Sequence, residues 1–399
     1  MEILMNSEQQ KKYFVGIDIS KDSFDATLID EYQKKLFYQK FEMNKNGFKS
    51  FLQKLEKFDK ALLQITVEST GVYFVSLYNY LLNTGFSISV INPLLVHNFH
   101  KSMSLRKTKT DKKDSFIIAL FTLKNLEILS KHSKQTSTMR RLCRERDKIS
   151  EEIAKVKTEI KSDMNILFPE LEKHIDIFTK SMLLFLEKHS SATSIRKLRT
   201  TQIDAVFNKT KGNKVRMKSA ELKKLARDSI GNGDKYLEKV LNSKIQRLKL
   251  YQELSKEFDL EISLFIDQNQ STDFDILTSI KGIGKITAQK FLIEVDDIRN
   301  FNNHKQLTAF MGTDPSLKQS GTSIMYQGKI SKRGNKYLRK TLFQMAVSCI
   351  RNDSTFNAYY HKKRDEKKKY KQAVIATGNK LLRVIYSMLT KENYYCEEY

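Results

Sequence analysis

Asp18 interrupts an otherwise apolar run, Tyr13 to Ile19, of the kind that forms a strand in a central sheet. A desolvated, unpaired carboxylate there is costly, so Asp18 must reach water at the strand end or meet a cation, a metal ion included. Glu68 stands likewise at the end of a second apolar run, Ala61 to Val67. Asp111 and Asp114, spaced i, i+3 in the helical stretch Lys107 to Leu123, share one face, with Ile118 a further turn along. Two acids that close raise each other's pKa unless a cation lies between them. Carboxylates spread over two strand ends and one helix are what two-metal phosphodiester chemistry requires: hard oxygen ligands on rigid elements, holding one or two Mg²⁺ ions against the attacking and leaving oxygens. Taken one at a time, each acid also reads as a turn residue or a first-turn helix acid.

A second chemistry belongs to the last third of the chain. Ser320 sits beside Gly321 among Ser316, Thr322 and Ser323, and is followed by the cations Lys329, Lys332, Arg333, Lys336 and Arg339. A serine next to glycine in a loop exposes its oxygen, and the basic run can hold the phosphate it would attack or contact. Hydroxyl-rich loops are otherwise ordinary turns. Upstream, Gly282-Ile283-Gly284 lies between two helical runs in Ile276 to Val295 and resembles a helix-hairpin-helix, whose backbone amides approach a DNA phosphate. Lys281 and Lys285 flank it; a plain helix-to-helix turn with a glycine cap has the same pattern.

The composition names the partner class. Across 399 residues, 71 Lys and Arg face 46 Asp and Glu, a net charge of +25, which calls for a polyanion. Nucleic acid fits best, because no apolar stretch approaches the ~20 residues that span a bilayer and the N-terminus has no signal-peptide core. The expectation is a cytoplasmic protein with no membrane partner. Cys143, Cys349 and Cys396 are far apart and form no CxxC, which excludes a disulfide framework and a structural zinc site. His97 and His100 have no neighbouring ligand set and read as surface or packing residues.

These residues need elements to position them. Tyr13 to Asp30 reads as a hairpin, with Ser20-Lys21-Asp22 as its turn and a second strand burying one face through Phe24, Ala26 and Leu28. Strands at 34–41, 61–67 and 86–91 then alternate with helices at 48–58, 72–82 and 94–99, which predicts an α/β sheet domain over 1–130 with helices on its faces. From 138 to 268 the pattern predicts a coiled-coil arm. Leu142, Ile149 and Val156 interleave with Ile153, Ile160 and Leu167, with Arg146 and Asp163 as polar lapses. A second seam runs from Tyr236 to Phe265, and the pairing is either within one chain or between chains. Residues 174–233 read as a small helical tip. A mostly α C-terminal domain, 272–399, closes on helices at 336–351, 356–370 and 373–389, and His361 to Lys371 is a basic face.

In these motifs the chain resembles the transposases of the insertion-sequence IS110 family, which includes the Piv DNA invertases. The marks are GIDISKDSFD at 16–25, VESTGVY at 67–73, KTDKKDS at 109–115, IKGIGKITA at 280–288, QSG at 319–321 and GKISKRGNKYLR at 328–339, over nearly the whole length. The resemblance implies a RuvC-like, RNase H-fold N-terminal domain whose tetrad is Asp18, Glu68, Asp111 and Asp114. It also implies a C-terminal transposase domain with Ser320 as nucleophile and Ser323 in reserve. The family's glycine-leucine-x-proline stands here as Gly312-Thr313-Asp314-Pro315, with threonine in place of leucine. It further implies a structured guide RNA paired with donor and target DNA, and a dimer or tetramer whose protomers share the site.

Two other readings fit the same residues: a Mg²⁺-dependent junction resolvase with no covalent step, and a basic scaffold that binds nucleic acid without catalysis. All three require phosphate contacts that release counterions, so affinity for DNA should fall steeply with salt. A fluorescence titration at low and at physiological ionic strength checks this, and a flat response contradicts it.

Overall fold

The structure is a computed structural model that describes residues 11–69, 71–103, 111–126, 129, 134–208, 217–319 and 325–396. The chain forms two compact units, Met1–Ser137 and Thr138–Tyr399.

In the first unit β1 (Tyr13–Ile19), β2 (Ser23–Asp30) and β3 (Lys35–Glu42) form an antiparallel meander. After α1 (Lys45–Leu55), β4 (Leu63–Glu68) lies parallel to β1. Then α2 (Phe74–Asn83) leads to β5 (Ile88–Ile91), parallel to β4. The five-stranded order is β3-β2-β1-β4-β5. α3 (Pro93–Met103) and α4 (Asp111–Lys124) complete the unit. The α/β alternation is as expected, with boundaries shifted by a few residues where caps decide them: Asn44 accepts from Gly47 N and starts α1 ahead of its first buried phenylalanine.

The sheet's two faces differ in chemistry. Val15, Ile17, Phe24, Ala26, Leu28, Ile65 and Val67 build an aliphatic and aromatic core with Phe51 and Leu55 of α1 and Leu77 and Leu81 of α2. The opposite face takes the alternate residues and is covered by α4. Thus β2 is buried on both faces, not on one as its alternation suggests: its polar residues Asp25 and Thr27 lie 4% and 0% exposed. The contact of α4 with β1 is backbone to backbone. A Cβ on Gly16 would lie 2.2 Å from Ala119 N and 2.2 Å from Ser115 O. Ile117 to Phe121 are all buried, because α4 is roofed by Val96 and Phe99 of α3 as well as seated on the sheet.

The second unit is mostly helical. α5 (Lys134–Leu167) and α11 (Lys235–Asn269) pair antiparallel within the chain. Arg146 is bonded bidentately to Asp259 at 2.7 and 2.9 Å, Arg247 meets Glu159 at 2.6 Å, and Lys244 meets Asp163 at 2.7 Å. The polar lapses of the first seam are therefore answered by opposite charges on the second. Between them lie α6 (Leu171–His174), α7 (Lys180–Leu186), α8 (Ala192–Arg196), α9 (Thr200–Phe207) and α10 (Ser219–Asp228). They share one core with Val156, Ile160, Leu241 and Leu248 of the long helices, so the tip folds on the arm.

The other end of the arm enters the C-terminal core. There Cys143, Ile262 and Phe265 pack with α12 (Ser271–Thr278), α13 (Lys285–Val295), α14 (His304–Met311), α15 (Lys336–Asn352), α16 (Ser354–Asp365) and α17 (Tyr370–Lys391). The segment read as a hydroxyl-rich loop forms a hairpin, β6 (Pro315–Gln319) with β7 (Met325–Ile330).

Gly16→Ala should force α4 off the sheet and cost about 1–3 kcal/mol or more. Gly284→Ala, where a Cβ meets nothing within 4 Å, should change stability by less than about 0.5 kcal/mol. Scanning calorimetry of the two full-length variants checks the contrast.

Candidate active site

The α4-covered face of the first unit carries the carboxylates. Side chains at one register position of neighbouring strands point the same way. Asp18 on β1 is directly opposite Asp25 on β2. On the other side, the parallel register of β1 and β4 runs to Ile17 and Val67, so the next step sets Asp18 beside Glu68. Gly16 and Thr27, two residues earlier on the same face, fix where α4 lies: Thr27 Oγ1 and Ser115 Oγ are 2.8 Å apart. At the far end Phe14 and Ile29 pack with Ala119 and Leu120, so α4 runs antiparallel to β1. Two strand residues advance about 6.6 Å, a distance a helix covers in about four residues. Starting from the contact of Gly16 with 115–119, this brings Asp18 under the first turn of α4, which holds Asp111 and Asp114. Asp18, Glu68 and Asp114 are each half-buried. The side chain of Asp111 lies outside the described residues, though its backbone begins α4.

Two oxygen-bearing side chains on this face escaped the sequence reading. Asp25 Oδ1 accepts from Tyr38 Oη at 2.6 Å, and Lys40 Nζ stands 3.9 Å from Oδ2. Lys112 of α4 lies 5.2 Å above the Tyr38 ring. Asp25 was masked by the apparent one-faced alternation of its strand. Thr66, beside Gly16 on β4, is fully buried, and among the described residues its Oγ1 has no hydrogen-bond partner.

Among the described residues no three His, Cys, Asp or Glu side chains are gathered as a metal site. The donors that α4 and the sheet bring toward one end are nevertheless carboxylates from three elements, with the unsatisfied Thr66 hydroxyl nearby on the same face. That all-oxygen set suits a hard cation such as Mg²⁺. Asp18, Glu68 and Asp114 are described carboxylates that could hold one.

In the second unit, Ser320 and Ser323 lie outside the described residues, as do the side chains of the other hairpin hydroxyls. The base of the hairpin is described. Gly312 (φ +67°) and Gly334 meet there, and a Cβ on Gly334 would stand 2.1 Å from Phe310 O. Ser331 N donates to Asp314 O at 2.9 Å, Lys332 N to Gly312 O at 3.0 Å and Asn335 N to Phe310 O at 2.8 Å. Lys332 is left-handed at φ +55°, which displays its side chain at the cost of local strain. Thr313, the departure from the family motif, is fully buried, and its carbonyl accepts from Asn379 Nδ2 at 3.3 Å. Lys329, Lys332, Arg333 and Lys336 are exposed, whereas Arg339 spends a guanidinium N–H on Met311 O at 2.7 Å.

The Gly282-Ile283-Gly284 turn joins α12 to α13. Gly282 is at φ +99° and packs against the Cys349 backbone, where a Cβ would be 2.8 Å from Cα. Lys281 and Lys285 are exposed, and an open cavity of ≈ 500 Å³ is lined by Lys281, Gly282, Ile283, Gly284, Ser348 and Asn352.

A sheet of order 3-2-1-4-5 with three antiparallel strands, two parallel ones and a helix lying on its acidic face is the architecture of an RNase H-like transposase domain. Residues 15–169 match the DEDD_Tnp_IS110 family, described as a transposase, and residues 274–361 match the family described as transposase IS116/IS110/IS902. The chain belongs to the IS110 family of transposases. It is 25% identical over 384 residues to the pilin gene-inverting protein of Moraxella bovis, with 95% of this chain and 96% of that protein covered. To the uncharacterized 43.6 kDa protein of insertion element IS110 from Streptomyces coelicolor it is 23% identical over 395 residues, covering 96% and 95%. To the transposase for insertion sequence element IS1111A of Coxiella burnetii it is 30% identical over 174 residues, 43% of this chain and 47% of that one. No helix among the described residues is long and apolar enough to cross a membrane.

The two buried thiols are poor nucleophiles. Burial pushes Cys143 and Cys349 up to about 12, with Glu294 and Asp353 respectively adding to the shift, so their thiolate fraction at pH 8 is negligible. Cys396 is exposed. A thiol-reactive chromophore at pH 8 should therefore titrate one thiol in the native protein and three in denaturant.

Proposed function

We propose that this chain cuts and rejoins DNA strands to move an insertion element, with Asp18, Glu68, Asp111 and Asp114 holding one or two Mg²⁺ ions and Ser320 as the nucleophile. A structured noncoding RNA selects donor and target, and the working form is a homo-oligomer, a dimer or tetramer. The observation that carries the reading is the register of Asp18: between Asp25 and Glu68, beneath the acidic first turn of α4. Membership in a transposase family supports the reaction class. The RNA, the metal and the serine step follow from the resemblance and from the chemistry of the residues.

Mg²⁺ bound by the tetrad would polarise the scissile phosphate and stabilise the leaving oxygen. The chain's own groups do the rest. Ser320 Oγ forms a bond to phosphorus as the bond from phosphorus to the departing sugar oxygen breaks; the serine proton passes to water and the sugar oxygen is released as a hydroxyl. The hydroxyl of the incoming strand then attacks the phosphoserine, its proton is lost to water, and Oγ leaves and is reprotonated. Lys329, Lys332, Arg333 and Lys336 hold the backbone of the strand, and Lys281 and Lys285 contact phosphates at the glycine turn.

A reaction on labelled DNA with the RNA transcribed from beside the gene, quenched in denaturant, tests this. Wild type should yield a protease-sensitive adduct; Ser320→Ala should yield none, and Asp18→Asn should lower it about 10²-fold or more with DNA binding intact. An adduct lost in Ser323→Ala but kept in Ser320→Ala reassigns the nucleophile. Metal-dependent cleavage without any adduct favours a resolvase-like nuclease, and no strand cleavage under any condition favours a scaffold.

A further inference from the structure

Glu294, on the last turn of α13, is 3% exposed yet carries three charge-assisted hydrogen bonds. Arg144 of α5 donates Nε to Oε1 at 2.6 Å and Nη2 to Oε2 at 2.8 Å. Asn335 donates Nδ2 to Oε2 at 2.7 Å. The other side of Asn335 caps α15, its Oδ1 accepting from Tyr337 N at 2.9 Å and Leu338 N at 3.2 Å. The Arg144 guanidinium also lies 4.3 Å from the Tyr337 ring centroid. One turn away, Arg140 donates Nε to Ile293 O at 2.9 Å, a second bond from the arm to the same end of α13.

Asn335 is also the last residue of the hairpin base, bonded through its N–H to Phe310 O. One carboxylate thus ties three segments separated by roughly 150 and 40 residues in sequence: the arm, the helix after the glycine turn, and the foot of β7. Stability alone does not require this. A buried charged cluster is commonly matched or exceeded by apolar side chains of equal volume, and what it provides is one geometry.

We propose that Glu294 is a positioning residue for strand joining: through Arg144 and Asn335 it sets the angle of the β6–β7 hairpin, and with it the segment carrying Ser320, relative to the arm. The proposal rests on the serine reading above. Strands of this length reach about 17–20 Å, so about 3° of rotation at the base displaces the far ends of β6 and β7 by about 1 Å. A misplacement of that size at a reacting atom costs about 10²-fold in rate.

The test uses the full chain with labelled DNA and guide RNA. Glu294→Gln keeps the shape but removes the charge and one acceptor. Asn335→Ser keeps an N-cap oxygen while removing the amide donor, so α15 stays capped. At saturating DNA the rate of adduct formation should fall about 10²-fold in Glu294→Gln and by a lesser factor in Asn335→Ser, with the DNA dissociation constant within about twofold of wild type. A purely structural role predicts a lower melting temperature and parallel losses in binding and rate. If Glu294→Gln does not fold, Asn335→Ser carries the test. Adduct formation at the wild-type rate in the folded variants overturns the positioning role while leaving the serine reading intact; cleavage by wild type without an adduct overturns both.

Discussion

The seat of α4 on β1 at Gly16 is the contact on which the first unit depends. With no side chain at that position, the backbone of Ser115–Ala119 comes within van der Waals reach of the strand. Any larger residue would lift the helix and with it the acidic turn at its start. The same closeness dictates the chemistry of the sheet face beneath. A helix that near leaves room only for small or polar partners such as Thr27, Thr66 and Gly16, and Thr27 meets Ser115 directly. Larger apolar contacts are pushed toward the end where Phe14 and Ile29 sit, and the opposite end is left to Asp18, Asp25 and Glu68.

The arm is governed by a comparable constraint of a different kind. An apolar seam by itself permits sliding by a heptad, since each register buries similar surface. Arg146 with Asp259 and Lys244 with Asp163 remove that freedom. A slip would leave Asp163, 8% exposed, without its partner, and breaking a buried pair in that way costs about 3–5 kcal/mol. The arm therefore has one length and one register between the tip core and the C-terminal core, which makes it a fixed reference for the Glu294 cluster at its base.

The periodicities that made the fold legible are those of long elements packed on one side: the β1–β2 hairpin, the two seams, and the helices after residue 336 all follow from apolar spacing. What the spacing concealed is where two layers meet. The alternation of β2 suggested one buried face, because a polar residue under a helix looks the same in sequence as one in water; Asp25 was lost for that reason. The polar lapses Arg146 and Asp163 were visible but their partners, about 80 to 110 residues distant, were not. The same holds for Glu294, an acid near the end of an amphipathic helix until Arg144 and Asn335 are brought to it by the fold. For the candidate site, the order Asp18, Glu68, Asp111, Asp114 was readable from strand ends and an i, i+3 pair. That Asp18 and Glu68 share a sheet end with the first turn of α4 depends on the direction of α4, which no local signal sets. Thr66 Oγ1 is invisible by any sequence argument, since only burial without a partner distinguishes it.

A chain with 25 excess positive charges carries Asp18, Asp25 and Glu68 side by side at one sheet end. The global field draws a polyanion in over a range set by the Debye length. In the proposed reading a phosphate arriving without a counter-cation meets Asp18, Glu68 and the acids of α4 at short range, where screening is weakest. A divalent cation between them removes that repulsion, and the phosphate in turn adds oxygens to the cation. In the proposed reading metal and DNA therefore each strengthen the binding of the other, and by linkage the strengthening is equal in both directions. In the same proposed reading, charge restricts tight seating of a phosphate at the acids to the metal-loaded protein, while contacts to Lys329, Lys332 and Arg333 would persist without it. On that reading electrostatics separates binding from cutting before any conformational step is invoked.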